Sequence, residues 1–187
     1  MLSTKIILYL LTGLSLTSVM QSSRQRFDLI VHNASCRILS STMKKFDCDC
    51  TMLKRGNYVG NMAFMYNKNL ASNAEWHAII NIIHSHLKTA KPFKYLDVRV
   101  NVCKFLSATM HLPILRMFLD EVRETSNLPF KCPLKKNYLY SISNYTILSE
   151  YLPPYTPLVQ FNLTLNTYDN RRPIAKLFAM GATVKRS

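Results

Sequence analysis

Val102-Cys103-Lys104-Phe105-Leu106, followed further on by Ser126-Asn127 and then Cys132-Pro133, is the stretch on which the fold turns. Ahead of it, Leu96, Val98, Val100 and Val102 alternate with Tyr95, Asp97, Arg99 and Asn101. That period of two is the signature of a half-buried strand. Behind it the period changes: after Pro113, the apolar residues Ile114, Leu115, Phe118, Leu119 and Val122 recur at helical spacing, with Arg116, Asp120, Arg123 and Glu124 on the opposite face. Proline suits the first position of a helix. The pattern predicts a helix that starts at Pro113 and ends near Ser126-Asn127. The whole segment reads as a helical excursion between two β segments, closed by a Cys103–Cys132 disulfide. A link closing a loop of about 30 residues contributes roughly 3 to 4 kcal/mol on the chain-entropy estimate.

Disulfide pairing presumes an oxidising compartment, and the start of the chain points the same way. Lys5 precedes an uncharged run, Ile6 to Met20, that includes Leu8, Leu10, Leu11, Leu14 and Leu16. This predicts a signal peptide over residues 1–22, with the cut near residues 18 to 23. The run is too short and too often interrupted by Thr12, Gly13, Ser15 and Thr17 to span a bilayer, which takes about 20 apolar residues. Three N-glycosylation sequons, at Asn33, Asn144 and Asn162, fit a secreted, extracellular protein. The remainder, residues 23–187, has the length of a single domain with a real core.

With five cysteines in such a chain, disulfide partners are the expected use. Cys48-Asp49-Cys50 does not easily bridge to itself, so the second bond joins Cys36 to Cys50 or to Cys48. One thiol is then left over, either inert and buried or open to an intermolecular bridge.

Period two dominates the rest of the chain. Val159, Phe161, Leu163 and Leu165 face one way and Gln160, Asn162, Thr164 and Asn166 the other, which places the Asn162 sequon on the solvent side. Asp169-Asn170-Arg171-Arg172 makes a turn and Ile174 to Val184 returns as a hairpin partner. Arg26 to His32, Tyr58 to Tyr66 and Leu134 to Ile147 are further strand candidates. From Glu75 to Leu87 the isoleucines fit a helix or a strand; their β-branching favours the strand. Several short strands separated by polar turns predict a mostly β sandwich or cup.

The order Asn33, Cys36, a cysteine followed by Leu53-Lys54-Arg55, then Cys103-Lys104-Phe105-Leu106, Ser126-Asn127, Cys132-Pro133 and the Leu152-Pro153-Pro154 corner resembles a large secreted family of unknown function in flies. That family is similar to the CheB chemosensory proteins and, more distantly, to the ML lipid-recognition fold of the ganglioside activator protein. Two positions depart from it: Pro153-Pro154-Tyr155-Thr156-Pro157 lacks the usual glycine, and Cys48 reads as an extra thiol. The resemblance implies an immunoglobulin-like, ML-type antiparallel β-sandwich or cup with one helical insertion between Cys103 and Cys132. It also implies an apolar cavity for a lipid, hydrocarbon or pheromone-like ligand, and roles in chemosensory or reproductive signalling. The candidate lining residues are Trp76, Ile80, Val98, Val100, Leu115, Phe118, Phe161 and Leu163.

Other functions find less in the residues. The chain holds no Gly-x-Ser-x-Gly elbow, phosphate-cradling loop or His-Glu-x-x-His, and acids are scarce at 10, so no enzyme, catalytic residue or cofactor is expected. His84-Ser85-His86 puts two imidazoles on one strand face, but without a third ligand at useful spacing no metal is expected. The net charge of +14, or +13 once Lys5 leaves with the leader, draws anionic partners: acidic proteins, sulfated glycans or lipid head groups. Nucleic acid fits the compartment poorly. The alternative function is therefore a cationic extracellular interaction module that engages a membrane receptor or channel with no ligand cavity.

Overall fold

A computed structural model of the protein describes residues 27–84, 91–107, 120–149 and 156–186. Its elements are β1 (Phe27–Ile38), β2 (Met43–Lys54), β3 (Asn57–Tyr66), β4 (Glu75–His84), β5 (Phe93–Asn101), the short helix α1 (Val102–Leu106), β6 (Tyr140–Leu148), β7 (Val159–Asp169) and β8 (Arg172–Lys185). Residues 120–125 are also helical. The expected leader, the helix start at Pro113, Leu115, Phe118 and the corner at Pro153-Pro154 lie outside the described residues.

The strands form two antiparallel sheets, one of five strands in the order β1-β8-β7-β4-β5 and one of three in the order β2-β3-β6. The β7–β8 hairpin turns on Asn170 and Arg171, both left-handed with φ of 50° and 64°. Such a two-residue turn matches the twist of the strands that it joins. The Glu75–Leu87 segment is a strand as far as His84, and it sits between β5 and β7. A central strand meets neighbours on both sides and carries apolar residues on both faces, so Ile79 and Ile83 on one face and Ile80 and Ile82 on the other imitate a helical period.

Several boundaries differ from the sequence reading. β1 continues past His32 to Ile38, because a bulge between Val31 and Asn33 lets it stay paired with β8. The strand expected over Leu134 to Ile147 starts only at Tyr140: Leu134 is fully buried in a loop and Asn137, with φ 54°, breaks the extended chain. Val102 is the first residue of α1 rather than the last of a strand, since the Asn101 side chain caps the helix by accepting the Lys104 N–H at 3.1 Å. β2, an edge strand that the sequence reading did not name, alternates the half-buried Phe46, Cys48 and Cys50 with the exposed Lys45, Asp47, Asp49 and Thr51.

Cys36 bonds Cys48, which ties β1 of one sheet to β2 of the other, and Cys103 bonds Cys132. Cys50 is the free thiol, which overturns the reading of Cys48 as the extra one. The Cys36 and Cys48 Cα atoms stand 5.7 Å apart, within the range that a disulfide spans.

The densest packing lies at the end of the sheets where β4 begins and β5 ends. Phe64, Tyr66 and Tyr140 form an aromatic cluster with centroids 5.5 to 6.5 Å apart. Val102, Leu106, Leu134, Ile174 and Ala175 pack against it, almost wholly buried. A smaller buried group, Phe27, Leu29, Tyr58, Val159 and Ala182, sits at the opposite end. There Asp28, itself buried, accepts from Arg186 at 2.8 Å and Arg55 at 3.0 Å. Replacing Cys103 and Cys132 together by alanine is expected to lower the unfolding free energy by about 3 to 4 kcal/mol in urea titrations, as the entropy of a loop of about 30 residues dictates.

Candidate functional site

Strand register gathers the sequence candidates onto one face. Trp76 pairs with Val100, Ala78 with Val98 and Ile80 with Leu96 across β4–β5. On the other side of β4, Ile80 pairs with Leu163 and Ile82 with Phe161. Cross-strand partners share a face. Trp76, Ile80, Val98, Val100, Phe161 and Leu163 therefore lie together. Beyond β7 the face continues through Leu177 and Ala179 of β8 and reaches Cys36, which pairs with Leu177 and is bonded to Cys48. This is thus the inner face, directed toward the three-stranded sheet.

Trp76 and Val100 pack against the core, and the Trp76 ring meets Phe105 edge-on at 5.1 Å. Trp76 and Val100 are nonetheless half-buried, as are Ile80, Val98, Leu163, Phe161, Leu177 and Ala179 farther along, between the closed end and the buried group around Tyr58 and Val159. Phe161 lies across Gly181, its partner on β8. A Cβ there would come within 2.5 Å of the Phe161 ring and run into the Ile30 carbonyl oxygen, so the absent side chain is what lets the ring lie flat on the sheet. Leu115 and Phe118 fall outside the described residues. Ala78, Leu96, Leu177 and Ala179 were missed: pairing, which no single strand records, brings them in, although the alternation around Val159–Leu165 and Tyr95–Val102 carried the signal for its faces.

Polar groups form other arrangements. On the outer face, His77 Nε2–H donates to Asp97 Oδ1 at 2.5 Å and Lys94 Nζ donates to Asp97 Oδ2 at 2.6 Å. The bonds from Lys94 first and His77 second hold the Asp97 carboxyl down at about 2. His77 is buried and its Nδ1 has no hydrogen-bond partner. His84 stacks on Phe93 at 5.7 Å, while Ser85 and His86 lie outside the described residues. Among the described residues no three His, Cys, Asp or Glu side chains are arranged to hold a metal ion. A shallow groove of about 180 Å³ on the outer face of the three-stranded sheet is lined by Asp47, Asp49, Asn61, Ser141 and Ser143. Met62, Ala63 and Ile142 share in its lining, and it is smaller than the sites that enclose organic ligands, which run to about 300 Å³ or more.

The Cys50 thiol is half-buried, and burial first, then the neighbouring Asp49 charge, pushes its pKa up. A thiol so placed is a poor nucleophile. The sequons occupy outward positions: Asn33 and Asn144 are exposed, and Asn162 and Asn33 each pair with Met180, on the side of the sheet opposite Leu163. Asn144 sits at φ 60° in a β6 bulge, its N–H donating to Asn61 Oδ1 at 2.9 Å.

The family model described as "Protein of unknown function (DUF1091)" matches residues 80–163. The matched stretch runs from Ile80 in β4 to Leu163 in β7, and so contains the Cys103–Cys132 closure and five of the six described candidate residues. No curated protein matches the chain. The two disulfides are those of a protein that matures in an oxidising environment, and no helix among the described residues is long and apolar enough to cross a membrane.

Because the charged form of Asp97 is the one its partners favour, its contribution to stability is complete above the ordinary value of 3.8 and is lost as pH falls toward about 2. Asp97→Asn is expected to melt below the parent at pH 5 and together with it at pH 2, by calorimetry. Cys50 is expected to resist iodoacetamide in the folded protein and to react, as a single thiol per chain, once the unreduced protein is unfolded.

Proposed function

We propose that the protein is a secreted, non-enzymatic binder of an apolar ligand of lipid or hydrocarbon class, held against the inner face of the five-stranded sheet. The two sheets, on this reading, are the layers of an ML-type sandwich opened into a cup, as in the lipid-recognition and CheB-like proteins that the sequence resembles. The observation that carries the reading is the incomplete burial of that face. It abuts the packed core around Val102, Leu106 and Leu134 at one end, yet its own apolar side chains are only half-buried at Ile80, Val98, Phe161 and Leu163. Half-buried aliphatic surface gains roughly 25 cal/mol for each Å² that a guest takes out of water. The sequons on the opposite side leave that face free of glycan. Ligand delivery to a membrane receptor or channel in chemosensory or reproductive signalling is the role that the same resemblance supports.

Native mass spectrometry of the protein secreted by a eukaryotic host is expected to show an adduct that organic extraction removes, and a fluorescent fatty-acid probe is expected to bind the extracted protein. Filling the face with Ala78→Phe and Ala179→Phe is expected to weaken the probe about tenfold or more, equivalent to about 1.4 kcal/mol, with the melting temperature little changed. Extracted protein that ignores the probe, together with secreted protein that carries no adduct, sinks the proposal.

A further inference from the structure

Charge at the closed end is the strongest feature that an apolar face leaves unexplained. The segment 67–73 knits together the loops around it. Leu70 N–H donates to the Leu134 carbonyl at 3.0 Å, Lys136 N–H to Asn69 Oδ1 at 2.9 Å, Ala71 N–H to Asp169 Oδ1 at 3.1 Å, and the Asn73 amide to Asn170 Oδ1 at 3.2 Å. Lys68, Lys135, Lys136, Arg171 and Arg172 stand exposed on this platform. Lys68 is taken by the buried Asp169 at 2.7 Å. The other four make no ion pair among the described residues; Lys54, Lys91 and Lys185 share that state but stand elsewhere, so it is the gathering of the four on one platform that sets them apart.

The four are also held in place. Lys135 N–H donates to the Tyr140 hydroxyl at 2.7 Å, which roots it on the buried aromatic cluster, and Arg171 is fixed in the left-handed turn. Preset positions reduce the ordering that binding requires. Between the cations lie exposed amides, Asn69, Asn73, Asn137 and Asn170, and beside Lys136 the Tyr138 ring leans on Tyr140 at 4.8 Å.

We propose that this end binds a sulfated polysaccharide. Lysine and arginine at loop tips match separated sulfates, with arginine offering paired donors to each anionic group. Amide side chains can both donate to and accept from sugar hydroxyls, and a flat ring beside them can stack on a sugar face. An anionic lipid surface would also attract such a cluster; the amides set among the cations, which can pair with sugar hydroxyls, favour the polysaccharide. The proposal is independent of the inner face and stands or falls separately from it.

The test uses the full secreted chain, heparin as probe, and two triple variants with the same loss of charge. One is Lys135→Gln with Lys136→Gln and Arg172→Gln; the other, at the opposite end of the strands, is Lys54→Gln with Lys91→Gln and Lys185→Gln. All six side chains are exposed, and circular dichroism with thermal melting checks that both variants fold. At 0.15 M salt the platform variant is expected to lose tenfold or more in affinity for heparin while the far-end variant loses less than threefold, and added salt is expected to weaken the parent steeply. Equal losses in the two variants would reduce the effect to net charge and overturn the proposal. Tighter binding of the parent to phosphatidylserine vesicles than to heparin would overturn it in favour of a membrane.

Discussion

Everything in this molecule is organised by the packing of Phe64, Tyr66 and Tyr140 against α1 and the loop that carries Leu134. Burial pushes the Tyr66 phenol well above its ordinary pKa, with the nearby Tyr140 and then Asp169 adding to the shift. The ring therefore remains neutral and serves the core as an apolar body with one polar tip. Tyr140 uses its hydroxyl to accept the Lys135 N–H, so the same ring that fills the core also sets the loop above it. Phe105 and Leu106 enter this core because Asn101 stops β5 and caps α1, turning the chain inward one residue earlier than the alternation suggests. The Cys103–Cys132 bond then fastens α1 to the segment that covers it.

A core concentrated at one end has a consequence for the sheets. They meet through Met43, Phe46, Phe64 and Tyr140 on one side and Ile174, Ala175, Trp76 and Val100 on the other, and a single covalent tie, Cys36–Cys48, joins them farther along. On β7 and β8 the inner face passes from the buried Thr167 and Ala175 to the half-buried Leu165 and Leu177, while on β4 and β5 it is half-buried from Trp76 and Val100 onward. Such a gradient is what a ligand site on a β scaffold needs, because the packed end fixes the register while the looser end keeps apolar surface available.

How much of this was legible before folding differs by element. The alternation of Tyr95–Val102 and Val159–Leu165 revealed faces correctly, because half-buried strands print their burial into the sequence. The Cys103–Cys132 closure was legible from spacing. β2 went unnamed although Phe46, Cys48 and Cys50 alternate with Lys45, Asp47, Asp49 and Thr51, because two of its three inward positions are cysteines, which read as disulfide partners before they read as a buried strand face. The choice between Cys48 and Cys50 was also beyond the sequence: residues two apart on a strand point the same way, and only the position of Cys36 on β1 decides between them. Of the candidate site, the members on β4, β5 and β7 could be named one by one, yet their assembly into one face depends on β4 lying between β5 and β7, an order that no local signal states.

The same limit hid the basic platform. Lys135-Lys136 and Arg171-Arg172 read as two ordinary pairs of solvated side chains when they are 35 residues apart in the chain. Their joint meaning comes from segment 67–73, which carries no special composition and acts through backbone and asparagine bonds. Lys68 neutralises Asp169 there, removing the acid that would otherwise offset Arg171 and Arg172. With that carboxylate spent internally and Glu75 facing Arg99, the four remaining cations stand without an acid partner among the described residues, and charge and apolar surface come to occupy different parts of one scaffold. A partner attracted by the first need not compete with a guest held by the second.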